Sequence, residues 1–198
     1  MRLVPITSKE QARRFKLLPV IAVDLGFSGH RPTTGVAWVL PSSTGAKKFG
    51  FGAAVEAVAN LSNTLKDVVL VLESPLSAAF GPVGNPRPRG GFEVKPQARW
   101  WSVGPGAATA LSALFFLREL YSQLRTAGTT IHLVEGFVSG KASCDHMRVA
   151  VALRDGFRGE RSCKWYSVAN GGDVISALDW LDSKRTKLPP LIVQPLRV

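Results

Sequence analysis

Apolar residues along this chain fall in short runs that switch between a two-residue and a helical period. PVIAVDLGFS (19–28) and TTGVAWVLP (33–41) read as strands, with Val36, Trp38 and Leu40 on one face of the second and Ala37 and Val39 on the other. A turn over 29–32 separates them, and KKFGFG (47–52) predicts a short third strand. Over 53–67 the period changes: Val55, Val58, Ala59, Ser62 and Leu65 recur at helical spacing. VVLVLESP (68–75) is almost continuously apolar, as in a strand covered on both faces. Residues 77–105 are rich in proline and glycine and lack a period, which predicts one long loop. GAATALSALFFLRELYSQLRTAG (106–128) predicts a helix, apolar nearly all round at its start and stopped at Gly128. A strand at 130–139, a helix at 143–157 capped by Ser143, a strand at 164–169, a helix at 172–184 and a short strand at 191–196 complete the pattern.

Hairpins come first and helical crossovers follow, which makes the chain α/β with a mixed sheet. Residues 1–18, with Arg2, Lys9, Arg13, Arg14 and Lys16, read as a basic N-terminal arm, and 19–198 as a single domain. A dinucleotide fold is disfavoured, because DLGFSG lacks the glycine-rich turn and leads into another strand. Neither a phosphate-binding P-loop nor a nucleophile elbow is present.

Charge changes the picture more than composition does. Of the 198 residues, 45% are hydrophobic, enough for a real core. No apolar run reaches the ~18 residues of a membrane span, and no secretory signal is legible. Cys144 and Cys163 read as free thiols of a cytoplasmic protein. The net charge is +11 and the isoelectric point about 10.3. A small domain this basic repels itself unless it meets a polyanion, and nucleic acid is the expected partner.

Two acids end apolar strands in the same way. Asp24 closes IAVD and Glu73 closes VVLVLE, each followed by a chain-turning segment. Parallel neighbouring strands would bring both carboxylates to one edge of the sheet, where ligands of such sheets bind. Two close acids repel unless a cation lies between them, and magnesium takes oxygen ligands of this kind. Either acid could instead bond the backbone of its own turn. Asp145, in the first turn of the 143–157 helix, is the candidate third acid, and His146 and Lys141 flank it.

IAVDLG with the following TGVAWV strand, VLVLESP, and an acid at a helix start before VAVAL resemble the ribonuclease H-like superfamily, nearest to the RuvC-type resolvases and related nuclease-like proteins. The resemblance covers roughly residues 19–157. It implies a three-layer α/β fold with a mixed central sheet flanked by helices. It also implies hydrolysis of phosphodiesters by two divalent ions, Mg²⁺ or Mn²⁺, held by Asp24, Glu73 and Asp145. In that scheme Asp24 bridges both ions, and His146 or Lys141 orients the water or the phosphate. DNA, structured or branched, is favoured over RNA, and the resolvases act as dimers. The sequence departs from the pattern at one point: Arg148 or Val149 stands where a further acid of the helix is expected.

Within the long loop, NPRPRGGFEVKPQARWW (85–101) mixes Arg87, Arg89, Lys95 and Arg99 with Phe92, Trp100 and Trp101. Arginines contact phosphates and aromatic faces stack on splayed bases, so this segment and Arg148 are the expected nucleic-acid contacts. The leading expectation is a metal-dependent nuclease. The alternatives are a non-cutting nucleic-acid-binding module on the same fold, and an actin-like phosphotransferase or ATPase. The last normally needs two lobes, and one copy of the opening strand is present.

Overall fold

In a computed structural model, the structure describes residues 1–28, 30–93, 101–102, 104–125, 127–138, 145–168, 174–181 and 189–195. Strands β1 (Arg2–Pro5), β2 (Val20–Asp24), β3 (Thr34–Leu40), β4 (Ser43–Phe49), β5 (Asp67–Glu73), β7 (Thr130–Gly136), β8 (Cys163–Tyr166) and β10 (Ile192–Pro195) form one eight-stranded sheet. Its order is β4-β3-β2-β5-β7-β10-β8, and β1 pairs with the first half of β7. Strands β2, β5, β7 and β10 run parallel, while β3, β4 and β8 are antiparallel to their neighbours. The sheet is therefore mixed, as the hairpin-then-crossover order predicts. A separate pair joins β6 (Ser77–Ala79) to β9 (Val174–Ser176).

Helices cover both faces, and alternation along the strands decides which side chain meets which layer. Ile21, Val23, Leu70, Leu72 and Leu133 pack against α2 (Phe51–Ser62) and α3 (Gly104–Gln123). Val20, Ala22, Val69, Val71 and Val134 pack against α4 (His146–Arg158) and α1 (Lys9–Phe15). Asp24 and Glu73 continue the second set, so they belong to the α4 face. No helix among the described residues is long and apolar enough to cross a membrane.

Several elements differ from the sequence expectation. The basic arm is built into the domain: β1 extends the sheet, Ser8 caps α1, and Ile6 is fully buried between Leu133 and Leu191. The polar β4 is a full-length edge strand rather than a fragment, held to β3 over seven residue pairs. Among the described residues the long loop contains β6 and a 3₁₀ turn at Gly91–Glu93, and α3 already begins at Gly104, with Pro105 tolerated in its first turn. The helix expected at 172–184 is α5 (Ala177–Leu181). It starts late because Ser176 accepts from the Leu178 N–H while its own N–H donates to Asp179, which makes it the cap. Ser143 lies outside the described residues; the N-cap of α4 is Asp145.

Candidate active site at the ends of β2 and β5

Register brings the two strand-end acids together. Asp24 pairs with Glu73 across the parallel β2–β5 ladder, Glu73 pairs with Gly136 of β7, Asp24 with Gly35 of β3, and Gly35 with Lys48 of β4. Lys48, Gly35, Asp24, Glu73 and Gly136 thus form one transverse row across five strands. Paired residues of adjacent strands point to the same face, and here it is the face that α4 crosses.

Gly35 is where α4 enters. A Cβ at this position would meet the His146 carbonyl oxygen at 2.2 Å, so only glycine lets the helix start sit on the row. From that seat the first residues of α4 reach opposite ways. His146 Nδ1 lies 2.9 Å from Asp24 Oδ2. Asp145 accepts from the Met147 N–H at 2.9 Å and pairs with Lys48 Nζ at 2.7 Å. The Lys48 ammonium and the Met147 N–H hold the Asp145 carboxyl below the usual carboxylate range.

The row can hold a proton relay and an ion. Asp24 is fully buried and His146 is one-third exposed, so the imidazole is the water-facing member of the pair. A carboxylate on Nδ1 fixes the orientation of the ring. Two carboxylates in register also suit a hard divalent cation, since magnesium is commonly held by one or two carboxylates and keeps several waters. A cavity of about 70 Å³ opens beside Glu73, between Ser74, Gly136 and the start of α3. Among the described residues no three His, Cys, Asp or Glu side chains form a group able to hold a metal ion. Asp24 and Glu73 stand side by side in register and are of the oxygen-donor type a hard divalent cation takes, while Asp145 pairs with Lys48 and caps its helix.

That placement carries a prediction. Asp145→Ala removes an N-cap, which costs about 1 kcal/mol, so Tm falls by about 2–4 °C. The cap's contribution is present above the ordinary carboxylate pKa near 4 and fades as pH falls through the lowered value, because protonation ends its charge-assisted bonds. Any metal-dependent cutting survives this change with less than about a tenfold loss. A loss as deep as that of a change at Asp24 would make Asp145 a ligand after all.

The expected nucleic-acid contacts fare unequally. Arg89 is not a phosphate contact: it is 1% exposed and ion-paired to Glu93 and Glu135, each at 2.8 Å. Arg87 Nε donates to the Phe80 carbonyl, and Trp101 donates to the Arg87 carbonyl and packs edge-on against Phe80, so both brace the loop itself. Arg148 is exposed, two residues from His146. Lys95, Arg99, Trp100 and Lys141 lie outside the described residues.

Sequence reasoning missed Lys48, Gly35 and Glu135. A lone glycine inside a strand was the available signal for a close backbone approach. A glutamate inside the buried run IHLVEGF was the signal for a buried cation partner. Comparison with family models, curated proteins and solved structures returned no match.

Proposed function

We propose that this chain is a divalent-cation-dependent nuclease of the ribonuclease H-like type, acting on nucleic-acid phosphodiesters and on DNA ahead of RNA. The observation that carries the reading is the register pairing of Asp24 with Glu73 at the C-terminal ends of adjacent parallel strands, under the start of α4. The net charge of +11 supports a polyanionic substrate. A bound Mg²⁺ or Mn²⁺ supplies Lewis acidity and an acidified water. Asp24 and Glu73 hold the ion. His146, oriented by Asp24, is the side chain placed to take a proton from the attacking water or return one to the leaving oxygen. Asp145, implied by the resemblance as a further ligand, caps α4 and pairs with Lys48.

A second reading, a nucleic-acid binder that does not cut, is favoured by the full burial of Asp24 and by the engagement of Asp145 with Lys48. A labelled panel of single-stranded, duplex and four-way-junction DNA and of RNA, with Mg²⁺, Mn²⁺ or a chelator, separates the two. Cutting that needs the ion supports the nuclease and names its substrate. Binding without cutting moves the assignment to the second reading. Neither binding nor cutting removes both, and stabilisation by ATP then tests the phosphotransferase alternative.

A further inference from the structure

A second cavity, of about 190 Å³, lies between α1, the C-terminal end of α4 and β8. Gly156 and Phe157 of α4 line it, so at 1.5 Å per residue this cavity is about 15–17 Å along the axis from His146, and separate from the candidate active site. One rim is cationic. Lys9, Arg13 and Lys16 occupy positions i, i+4 and i+7 of the α1 segment, so they share a face, and all three line the cavity. Among the described residues none of the three is in an ion pair. The acids at this end of α4 are already engaged, Asp155 by Arg154 and Glu160 by Arg158.

The other wall is aromatic. Trp165 and Phe157 line it and meet edge-on at 5.9 Å, and Trp165 keeps part of its surface open. Cys163 completes the wall as a neutral group: burial pushes its thiol up, and the thiol donates to the Gly156 carbonyl at 3.3 Å. The cavity has no carboxylate in its lining. Three unpaired cations facing an indole are complementary to an anion joined to a flat ring. At ~30 Å³ per water the volume equals about six waters, below the ~300 Å³ where drug-sized pockets start, so it takes part of such a unit while the remainder lies outside it.

We propose that this cavity binds a single nucleotide unit, with its base against Trp165 and its phosphate among Lys9, Arg13 and Lys16. The unit is either a free mononucleotide or one residue of a strand. Calorimetric titration of the full chain with dAMP, a twelve-residue oligothymidylate and inorganic phosphate distinguishes these sources. The comparison protein carries Lys9→Ala, Arg13→Ala and Lys16→Ala together, three changes at exposed positions.

Saturable dAMP binding that disappears in the triple variant assigns the site to free nucleotide. Oligonucleotide binding without dAMP binding, weakened at least about tenfold in the triple variant, assigns it to a strand. In that case the salt slope falls by about 2, since each cation contributes about 0.7 on single strands. Unchanged oligonucleotide and dAMP binding in the triple variant overturns the proposal. So does phosphate binding as tight as dAMP binding and indifferent to Trp165→Leu. If Trp165→Leu does not fold, the triple variant alone decides. The titrations are run with a chelator and no divalent cation, so failure of the nuclease reading leaves this test intact.

Discussion

Asp24→Asn should abolish metal-dependent cleavage, by about 10²–10⁴-fold or more, while nucleic-acid binding stays as tight or tightens. The substitution keeps the volume of the side chain, so the α4 contact at Gly35 is undisturbed. It also keeps an acceptor oxygen for His146, which now lies 2.9 Å from Asp24 Oδ2. What it removes is the charge. An ion held as proposed by Asp24 and Glu73 would lose half of its anionic partners, and His146 loses the carboxylate that orients its ring. On the proposed reading binding is expected to rise if anything, because a negative charge would be gone from the edge that faces the phosphates. Cleavage of the labelled panel, run beside a binding titration and a melting curve, separates the three effects. Cutting at the wild-type rate by a folded Asp24→Asn protein would remove Asp24 from the chemistry. Glu73→Gln is the companion change, with the same expected sign.

The same residues show what could be read without coordinates. Strands β2, β3, β5 and β7 were legible because burial on one or both faces leaves an apolar run or an alternation that few other structures produce. Asp24 and Glu73 were legible as a pair because an acid at the end of such a run has to be accounted for. Their register was not, since a ladder is set by contacts between segments that the sequence holds far apart. Strand β4 was half missed because an edge strand needs no apolar face, and its lysines are a usual guard against edge pairing. Residues 1–18 read as a basic arm because α1 turns a row of cations outward and buries only Ala12 deeply. Asp145 was placed at the right end of the right helix, but the choice between metal ligand and cap rests on Lys48, which nothing local connects to it. Arg89 is the largest misreading. In a segment rich in proline, glycine and arginine it reads as one more solvated cation, and its decisive partner Glu135 lies 46 residues away.

Arg89→Met should destabilise the protein by about 3–5 kcal/mol, the usual cost of removing one member of a buried charge group. Arg89 bonds Glu93 through Nε and Nη2 and Glu135 through Nη1, and it reaches Ser77 as well. Glu135 Oε2 also accepts from the Leu76 N–H, three residues beyond Glu73. One guanidinium therefore ties the loop after β5 to the end of β7. It sits on the sheet face opposite Asp24, since Glu135 pairs with Leu72 and shares the alternation of Leu133. Methionine keeps much of the stem's volume, so the loss is mainly one of charge. Both glutamates then remain buried without a cation.

Burial already pushes the Glu135 carboxyl up, with Arg89 pulling against it. Without Arg89 the rise is larger, and the sign of the pH effect follows. A carboxyl whose folded pKa lies above its unfolded value near 4.3 favours the folded state at low pH and loses that contribution as pH rises through the folded value. The deficit of Arg89→Met should therefore be largest near pH 8 and shrink toward pH 5. At about 2–4 °C per kcal/mol the Tm gap is expected to be of order 10 °C at the higher pH. Adding Glu93→Leu and Glu135→Leu to Arg89→Met should recover much of the stability, because an apolar replacement leaves no buried charge to solvate. A pH-independent gap, or a triple variant as unstable as the single one, would mean that Arg89 contributes packing rather than charge. Melting curves of the three proteins across that pH range decide between the two.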